Sequence, residues 1–206
     1  MTLPLTPSDV DLLMQMISGD EHAFTALYRR RQGGVYRFAL QMSGSRGIAE
    51  DVTQEVFIVL MREAHRYDSS RGSLAAYLYG IARNHVLRRL ERDRLFVQLG
   101  DATEDHHESG SATLVAEGDP LGDLTRNEMI DEVRQAVLAL PSRYREVVVL
   151  CDLHEMSYAE AAAVAGCAVG TVRSRLHRGR ALLVEKLRSA RSAGNERLVN
   201  QERCFA

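Results

Sequence analysis

Apolar residues recur every three or four positions along two long stretches of the chain, at residues 8–95 and 124–191. One such series in the first stretch consists of Ile48, Val52, Val56, Val59 and Leu60. This spacing places side chains on one face of a helix, whereas a half-buried strand would alternate polar and apolar residues. The pattern therefore predicts an all-α fold with two small helical domains.

The stretch between them, residues 98–123, has no such periodicity and is rich in acidic and small residues. A segment of this composition cannot bury enough apolar surface to fold, so it predicts a flexible acidic linker. The predicted organisation is a domain at residues 1–97, the linker, a second domain at residues 124–191, and a polar tail at residues 192–206.

The second domain contains the pattern of a helix-turn-helix. Ser157 and Glu160 have the spacing of a capping box, which satisfies free amide groups at the start of a helix. Gly166 suits the left-handed backbone at the end of that helix. A second helix follows directly, so two short helices joined by a tight turn are predicted.

The second of these helices has two different faces. Val172, Leu176, Gly179 and Leu183 share one face at helical spacing. The opposite face carries Ser174, His177, Arg178 and Ala181, with Arg173 and Arg180 on its flank. An apolar face that packs inward, combined with outward hydrogen-bond donors, favours insertion into the major groove of duplex DNA. Corners of this shape also occur in proteins that bind no DNA, where such a face is merely solvated.

Charge is distributed unevenly, although the formal net charge is only −2. Residues 173–191 contain six arginines and one lysine against a single acid, whereas residues 98–132 contain ten acids and one base. Basic surfaces separated by an acidic connector indicate a polyanionic partner. The same contrast predicts that the free protein closes on itself, with the linker or one domain shielding the basic faces.

A helix predicted at residues 49–66 has an outward face of acids mixed with apolar residues, namely Asp51, Gln54, Glu55, Ile58 and Met61. This mixture is typical of a protein-binding face, although an ordinary solvated helix is the alternative. A helix predicted at residues 74–94 interleaves tyrosines with arginines and carries Tyr77, Tyr79, Arg83, Asn84 and Arg88. Such a surface suits single-stranded nucleic acid, although either tyrosine also fits a core position.

Several classes of function lack support in the sequence. The three cysteines are far apart and form no metal-ligand or disulfide motif, so no metal and no cofactor is expected. His106 and His107 lie in the acidic linker, and no spacing assembles a catalytic group, so the chain is not expected to be an enzyme. Neither a membrane span nor a signal peptide is evident, and a cytoplasmic protein is expected.

Four blocks resemble a bacterial RNA polymerase sigma factor of the extracytoplasmic-function (ECF) type. They are GDEHAFTALYRRRQGGVYRFA, AEDVTQEVFIVLMREAHRYD, RGSLAAYLYGIARN and LPSRYREVVVLCDLHEMSYAEAAAVAGCAVGTVRSRLHRGRALL. They cover most of both helical stretches in the order of that family, with a linker between.

The resemblance implies a role in transcription initiation for each predicted site. The helix at residues 49–66 would bind core RNA polymerase through Asp51, Gln54, Glu55 and Ile58. The segment at residues 67–94 would bind the minus-ten element and the melted non-template strand, through Tyr67, Asp68, Ser69, Arg71, Tyr77, Arg83, Asn84 and Arg88. The helix-turn-helix would read the minus-thirty-five element in duplex DNA through Thr171, Arg173, Ser174, His177 and Arg178. An anti-sigma factor is a further implied partner.

The chain departs from the family pattern at a few positions. Tyr77 stands where tryptophan is frequent, Leu74 where phenylalanine is common, and Arg88 where an acid is usual. Smaller residues also occupy apolar positions of the helix-turn-helix. These departures bear on promoter preference and domain stability.

Two other classes of function fit less of the sequence. A stand-alone helix-turn-helix repressor or activator would share the second domain, but its first domain would carry a phosphoacceptor or ligand pocket. A nucleic-acid enzyme would need a catalytic constellation. The sequence therefore predicts a sigma factor that selects promoters for core polymerase.

Overall fold

The computed structural model of the chain describes residues 7–98 and 120–203, with side chains for residues 7–93 and 128–189. Most of the predicted linker, including His106 and His107, lies outside the described residues, as does Cys204. Every element in the two described ranges is helical, which confirms the predicted all-α class.

Four helices form an N-terminal unit: α1 (Asp9–Ile17), α2 (Glu21–Ser43), α3 (Arg46–Glu63) and α4 (Leu74–Gln98). Two short 3₁₀ turns, Ala64–Arg66 and Ser69–Arg71, connect α3 to α4. Polar caps set the helix starts, because Ser8, Asp20 and Ser45 each accept backbone N–H groups that have no partner within the helix. Gly44 ends α2 in the left-handed conformation, at φ 75°.

The N-terminal core is built mainly between α2, α3 and α4. Phe38, Val52, Leu60 and Leu78 are fully buried there. Helix α3 buries a wider face than its apolar stripe predicts, because Phe57 packs edge-to-face on Tyr28 with ring centroids 4.7 Å apart. The aromatic contacts with α2 therefore extend the buried face beyond the original series.

A C-terminal unit follows with α5 (Pro120–Leu138), α6 (Ser142–Val148), α7 (Tyr158–Ala165) and α8 (Val169–Arg203). A π-helical turn at Val149–Leu153 extends α6. Helix α5 begins inside the stretch predicted as linker, and α8 continues into the stretch predicted as tail. Helices α7 and α8 are the two helices of the predicted helix-turn-helix.

The two units are packed against each other. Helix α4 contacts α7, and α2 contacts α5, α6 and the π-helical turn. The buried apolar residues of both units form one continuous cluster that runs from Leu12 to Leu176. Within the described part of the chain, none of the helices combines the length and the apolarity that a bilayer span requires.

Candidate nucleic-acid interface

The turn before α8 has the local geometry that the sequence predicts. Ser157 and Glu160 make both hydrogen bonds of a capping box at the start of α7. Gly166 ends α7 with φ 62°, in the left-handed region where a side chain is strained. These two signals fix the angle at which α8 leaves the turn.

Helix α8 packs inward on the face predicted for it. Val172 and Leu176 are buried, and Gly179 lies directly against α6. A Cβ atom on Gly179 would lie 2.9 Å from Val148 Cγ2, which is closer than carbon atoms normally approach. Glycine at this position therefore lets α8 lie close to α6.

The opposite side of α8 is open to solvent. Arg173, Ser174, His177 and Arg178 are exposed, while Thr171 is half-buried. The guanidinium of Arg173 lies 5.8 Å from the ring centroid of Tyr158, a cation–π contact that favours one orientation of the arginine. The residues predicted to read duplex DNA thus lie on one surface of α8, which we call the reading face.

Arg178 is held differently from its neighbours. Its guanidinium lies beside the Tyr144 phenol and lowers the pKa of that phenol. The guanidinium of Arg143 also lies 4.8 Å from the Tyr144 ring centroid. The guanidinium groups of Arg143 and Arg178 therefore both lie beside Tyr144, next to the reading face. The spacing of residues within α8 does not predict this arrangement.

Arg180 anchors α8 to the π-helical turn. Its Nε and Nη2 atoms donate to the two carboxylate oxygens of Asp152, at 3.1 and 2.5 Å. This bidentate geometry is the strong form of an arginine–carboxylate pair. Arg180 is accordingly engaged within the protein.

A second predicted site, the segment after α3, forms one wall of a cleft. Tyr67, Asp68, Arg71, Tyr77 and Asn84 all line it. The Tyr67 hydroxyl donates to the Gly72 carbonyl at 3.0 Å. The Tyr67 ring meets the ring of Tyr77 edge-on, with centroids 5.6 Å apart. Two half-buried aromatic side chains therefore lie side by side in the cleft, where a base could stack.

The loop beside these tyrosines is organised by Asp68. Its carboxylate accepts from the Ser70 amide at 2.9 Å and from the Ser70 hydroxyl at 2.7 Å. These bonds stabilise the charged form and hold the pKa of Asp68 below its usual value. Ser69 and Arg71, in the same 3₁₀ turn, are exposed. Asp68 thus shapes the loop as well as facing the cleft.

The arginines of α4 are in different surroundings. Arg88 is exposed, but Arg83 forms an ion pair with Glu146 of α6. The Glu146 side chain retains only 7% of its accessible surface and that of Arg83 only 22%. Arg83 is therefore covered by the C-terminal unit in this structure, which separates it from the other predicted contacts.

The sequence did not decide whether Tyr79 is a core or a surface residue. In the structure it lies in the contact between the two units. Its ring packs on Phe38 with centroids 5.3 Å apart. Its hydroxyl is 3.0 Å from Nδ1 of His154, which follows the π-helical turn. Burial raises the pKa of the Tyr79 phenol, so the hydroxyl remains a donor. Tyr79 is therefore a packing residue in this arrangement.

The third predicted site is the outer side of α3. Asp51 and Gln54 are exposed, and Glu55 and Ile58 are half-buried. Asp51 accepts from Arg89 of α4 at 2.7 Å. Gln54 also borders a cleft between α2 and α3 that includes Tyr36 and Glu50. The four side chains lie on one helix, and the surface continues across this cleft onto α2.

Sequence reasoning missed the residues that join the two units, chiefly Gln41, Glu146 and His154. Their partners lie 63 to 113 positions away along the chain. No local pattern marks them. In the described residues, no group of three or more His, Cys, Asp or Glu side chains is arranged to hold a metal ion.

The helical fold and the arginine-bearing outer face of α8 define the class, an all-helical protein with a helix-turn-helix of the DNA-binding type. Residues 27–95 match the family Sigma-70 region 2, and residues 130–183 match Sigma-70, region 4.

Individual proteins are similar over most of the chain. The ECF RNA polymerase sigma factor SigW of Bacillus subtilis is 31% identical over 179 residues, which cover 85% of this chain and 95% of SigW. SigE of Mycolicibacterium smegmatis is 34% identical over 174 residues, which cover 82% of this chain but only 65% of that longer relative. The chain therefore belongs to the ECF family of RNA polymerase sigma factors, which are transcription initiation factors rather than catalysts.

Two solved structures have a similar fold. The sigma factor RpoE, in complex with the anti-sigma factor NepR from Bartonella quintana, has a TM-score of 0.66 at 25% identity, covering 80% of this chain and 96% of RpoE. CnrH, in complex with the cytosolic domain of CnrY, has a TM-score of 0.64 at 27% identity, covering 89% of this chain and 99% of CnrH.

Proposed function

We propose that this chain binds core RNA polymerase, directs it to specific promoters and helps to open the DNA for transcription initiation. The observation that carries the proposal is the exposed basic face of α8, joined in one chain to a sigma region 2. Neither part would suffice alone, because a helix-turn-helix by itself is equally suited to a repressor. A cytoplasmic location follows from the proposal, since polymerase and the bacterial chromosome are there.

The upstream contact is assigned to α8. Its predicted readers of the minus-thirty-five element are Thr171, Arg173, Ser174, His177 and Arg178. Arginine can donate two parallel hydrogen bonds to guanine in the major groove, and hydroxyl groups bond to either kind of base. The packed inner face of α8 holds these donors at a fixed depth.

The downstream contact is assigned to the cleft beside α4. Its proposed contacts with the minus-ten element are Tyr67, Asp68, Ser69, Arg71, Tyr77, Arg83, Asn84 and Arg88. A base edge inside a closed duplex cannot enter a cleft, so capture of an unstacked base both reads the sequence and stabilises the open DNA. The paired rings of Tyr67 and Tyr77 supply the stacking surface.

Attachment to polymerase is assigned to the outer side of α3, through Asp51, Gln54, Glu55 and Ile58. Acids beside a half-buried aliphatic residue suit a basic and apolar partner surface. We also propose control by an anti-sigma factor, because the similar RpoE structure contains such a partner.

Run-off transcription with purified core polymerase on genomic fragments tests the function. The wild-type chain should yield discrete transcripts, and the double variant Asp51→Arg with Glu55→Arg should yield none. Charge reversal on the outer side of α3 removes attraction to the polymerase and replaces no core residue.

The matched control reverses Glu128, an exposed acid on α5, and should leave transcription unchanged. Association of the double variant with core polymerase at wild-type affinity would overturn the α3 assignment. Absence of any wild-type transcript from the genomic fragments would overturn the function.

A further inference from the structure

The first turn of α6 places a second arginine next to the phenol that lies beside Arg178. Tyr144 is only 9% exposed, and the guanidinium of Arg143 lies over its ring, with Cζ 4.8 Å from the ring centroid. The Arg178 guanidinium of α8 lies beside the same phenol. Both arginines are exposed. One buried phenol therefore has a solvent-facing guanidinium from each of two helices beside it.

The backbone holds these two arginines at the same level of α8. A Cβ atom on Gly179, the residue after Arg178, would lie 3.4 Å from the carbonyl oxygen of Tyr144 and 3.5 Å from its Cβ atom. The start of α6 therefore touches α8 directly beside Arg178. Because Arg143 immediately precedes Tyr144, the backbone position of Arg143 is set by this contact between the two helices.

Neither arginine is neutralised by a carboxylate. Other arginines of the same unit are paired, since Arg180 binds Asp152 and Arg134 binds Asp131. Among residues 7–93 and 128–189, no ion pair includes Arg143 or Arg178. Two guanidinium groups around one phenol repel each other unless an anion lies near both of them. The arrangement therefore favours a ligand that brings negative charge.

A phosphate of a DNA backbone has the properties that such a site requires. Its oxygens accept parallel N–H bonds from guanidinium groups, and its charge compensates the arginines. A helix in the major groove has a sugar-phosphate strand on each side, so phosphates are contacted from the edge of the reading face and base edges from its centre. Arg143 lies on α6, at the edge of the reading face and outside the helix-turn-helix.

We propose that Arg143 of α6 binds a backbone phosphate of the upstream duplex, beside the position where Arg178 of α8 reaches the bases. Tyr144 holds the two guanidinium groups side by side, so the DNA contact extends from the helix-turn-helix onto the helix before it. This inference rests on the proposed role of α8 in binding duplex DNA, and it adds a contact that sequence reasoning did not assign.

Fluorescence anisotropy of the full-length chain with two labelled duplexes tests the contact. One duplex carries the upstream element mapped by run-off transcription, and the other has an unrelated sequence of the same length. A phosphate contact carries no sequence information, so Arg143→Gln should weaken binding to both duplexes by the same factor. We expect a loss of about tenfold in about 50 mM salt, the usual effect of one lost hydrogen bond to a charged group, and of about threefold in about 200 mM salt.

The dependence on salt separates a phosphate contact from a structural role. Each neutralised phosphate of duplex DNA contributes about 0.9 to the slope of log affinity against log salt concentration, so Arg143→Gln should reduce this slope by about one. Arg143→Lys retains the charge and should keep the wild-type slope. A substitution that only disturbed the packing of Tyr144 would lower the affinity by the same factor at every salt concentration.

The matched control is Arg134→Gln, which removes an exposed arginine from α5 of the same unit and changes the net charge equally. It should leave the slope and both affinities unchanged, because Arg134 is paired with Asp131. Circular dichroism establishes that each variant is folded.

A folded Arg143→Gln protein with the wild-type affinity and the wild-type slope would overturn the proposal. A loss confined to the duplex with the upstream element would also overturn it. These measurements need no polymerase, and the unrelated duplex needs no promoter. Failure of run-off transcription would therefore count against the proposed function, whereas an unchanged salt slope would count against the Arg143 contact.

Discussion

The side chains on the outer face of α8 have different surroundings, so substitutions at these positions should affect DNA binding differently. The Arg173 guanidinium lies 5.8 Å from the ring centroid of Tyr158, whereas the Arg178 guanidinium lies beside the phenol of Tyr144 on another helix. A guanidinium held by a phenol loses less conformational freedom when it binds a base. Tyr144 is therefore a positioning residue for Arg178.

Arg178→Ala should weaken binding to duplex DNA with the upstream element by about 1–3 kcal/mol more than binding to unrelated duplex, the range for a lost bidentate base contact. Tyr144→Phe removes only the hydroxyl and should produce a smaller loss with the same selectivity. Anisotropy titrations on both duplexes measure this. Equal losses of affinity for the two duplexes would indicate that Arg178 contacts a phosphate. If Tyr144→Phe left both affinities unchanged, Tyr144 would not position Arg178.

At the scale of an element, the close approach of α8 to α6 depends on one missing side chain. Gly179→Ala should destabilise the protein by about 1–3 kcal/mol, the usual cost of overpacking a closely packed contact. The new methyl group would press on Val148 and lie 3.4 Å from the Tyr144 carbonyl oxygen. Chemical denaturation measures the change in the free energy of unfolding.

Gly170→Ala is the matched control on the same helix. A Cβ atom there meets no other atom within 4 Å. Alanine is favoured over glycine within helices, so this variant should be neutral or stabilised by up to about 1 kcal/mol. If both variants were equally stable, the approach of α8 to α6 would not depend on Gly179.

At the scale of the whole molecule, the packing of the two units against each other should depend on pH through His154. Burial, together with the nearby charge of Arg37, lowers the pKa of His154 from 6.5 to about 4 in the packed arrangement. The uncharged side chains of Tyr79 and Gln41 face the same ring. When the two units separate, His154 binds a proton that it excludes while they are packed together. The packed arrangement is therefore most stable above pH 6.5 and loses stability as pH falls toward about 4.

Small-angle X-ray scattering across this range of pH should therefore show the radius of gyration of the wild-type chain increasing on acidification. His154→Gln has no titrating ring and should expand less over the same range. An identical pH response in both proteins would assign the effect to titratable groups other than His154.

The sequence by itself determined the helices and their inward and outward faces. Capping at Ser157 and Gly166, and the burial of Val172 and Leu176, depend on residues within a few positions of each other. Such signals are local, so periodicity and turn chemistry were sufficient to predict them. The exposed face of α8 was predicted for the same reason.

Only the tertiary structure decided how the two units meet. Arg83 was predicted as a DNA contact and lies in an ion pair with Glu146, and Tyr79 fitted either core or surface until its contacts with Phe38 and His154 were known. The contacts with Glu146 and His154 join residues more than sixty positions apart and depend on the docking of packed helices. Helical periodicity tells which side of a helix is buried, but many partners satisfy the same apolar face, so it does not tell which one buries it.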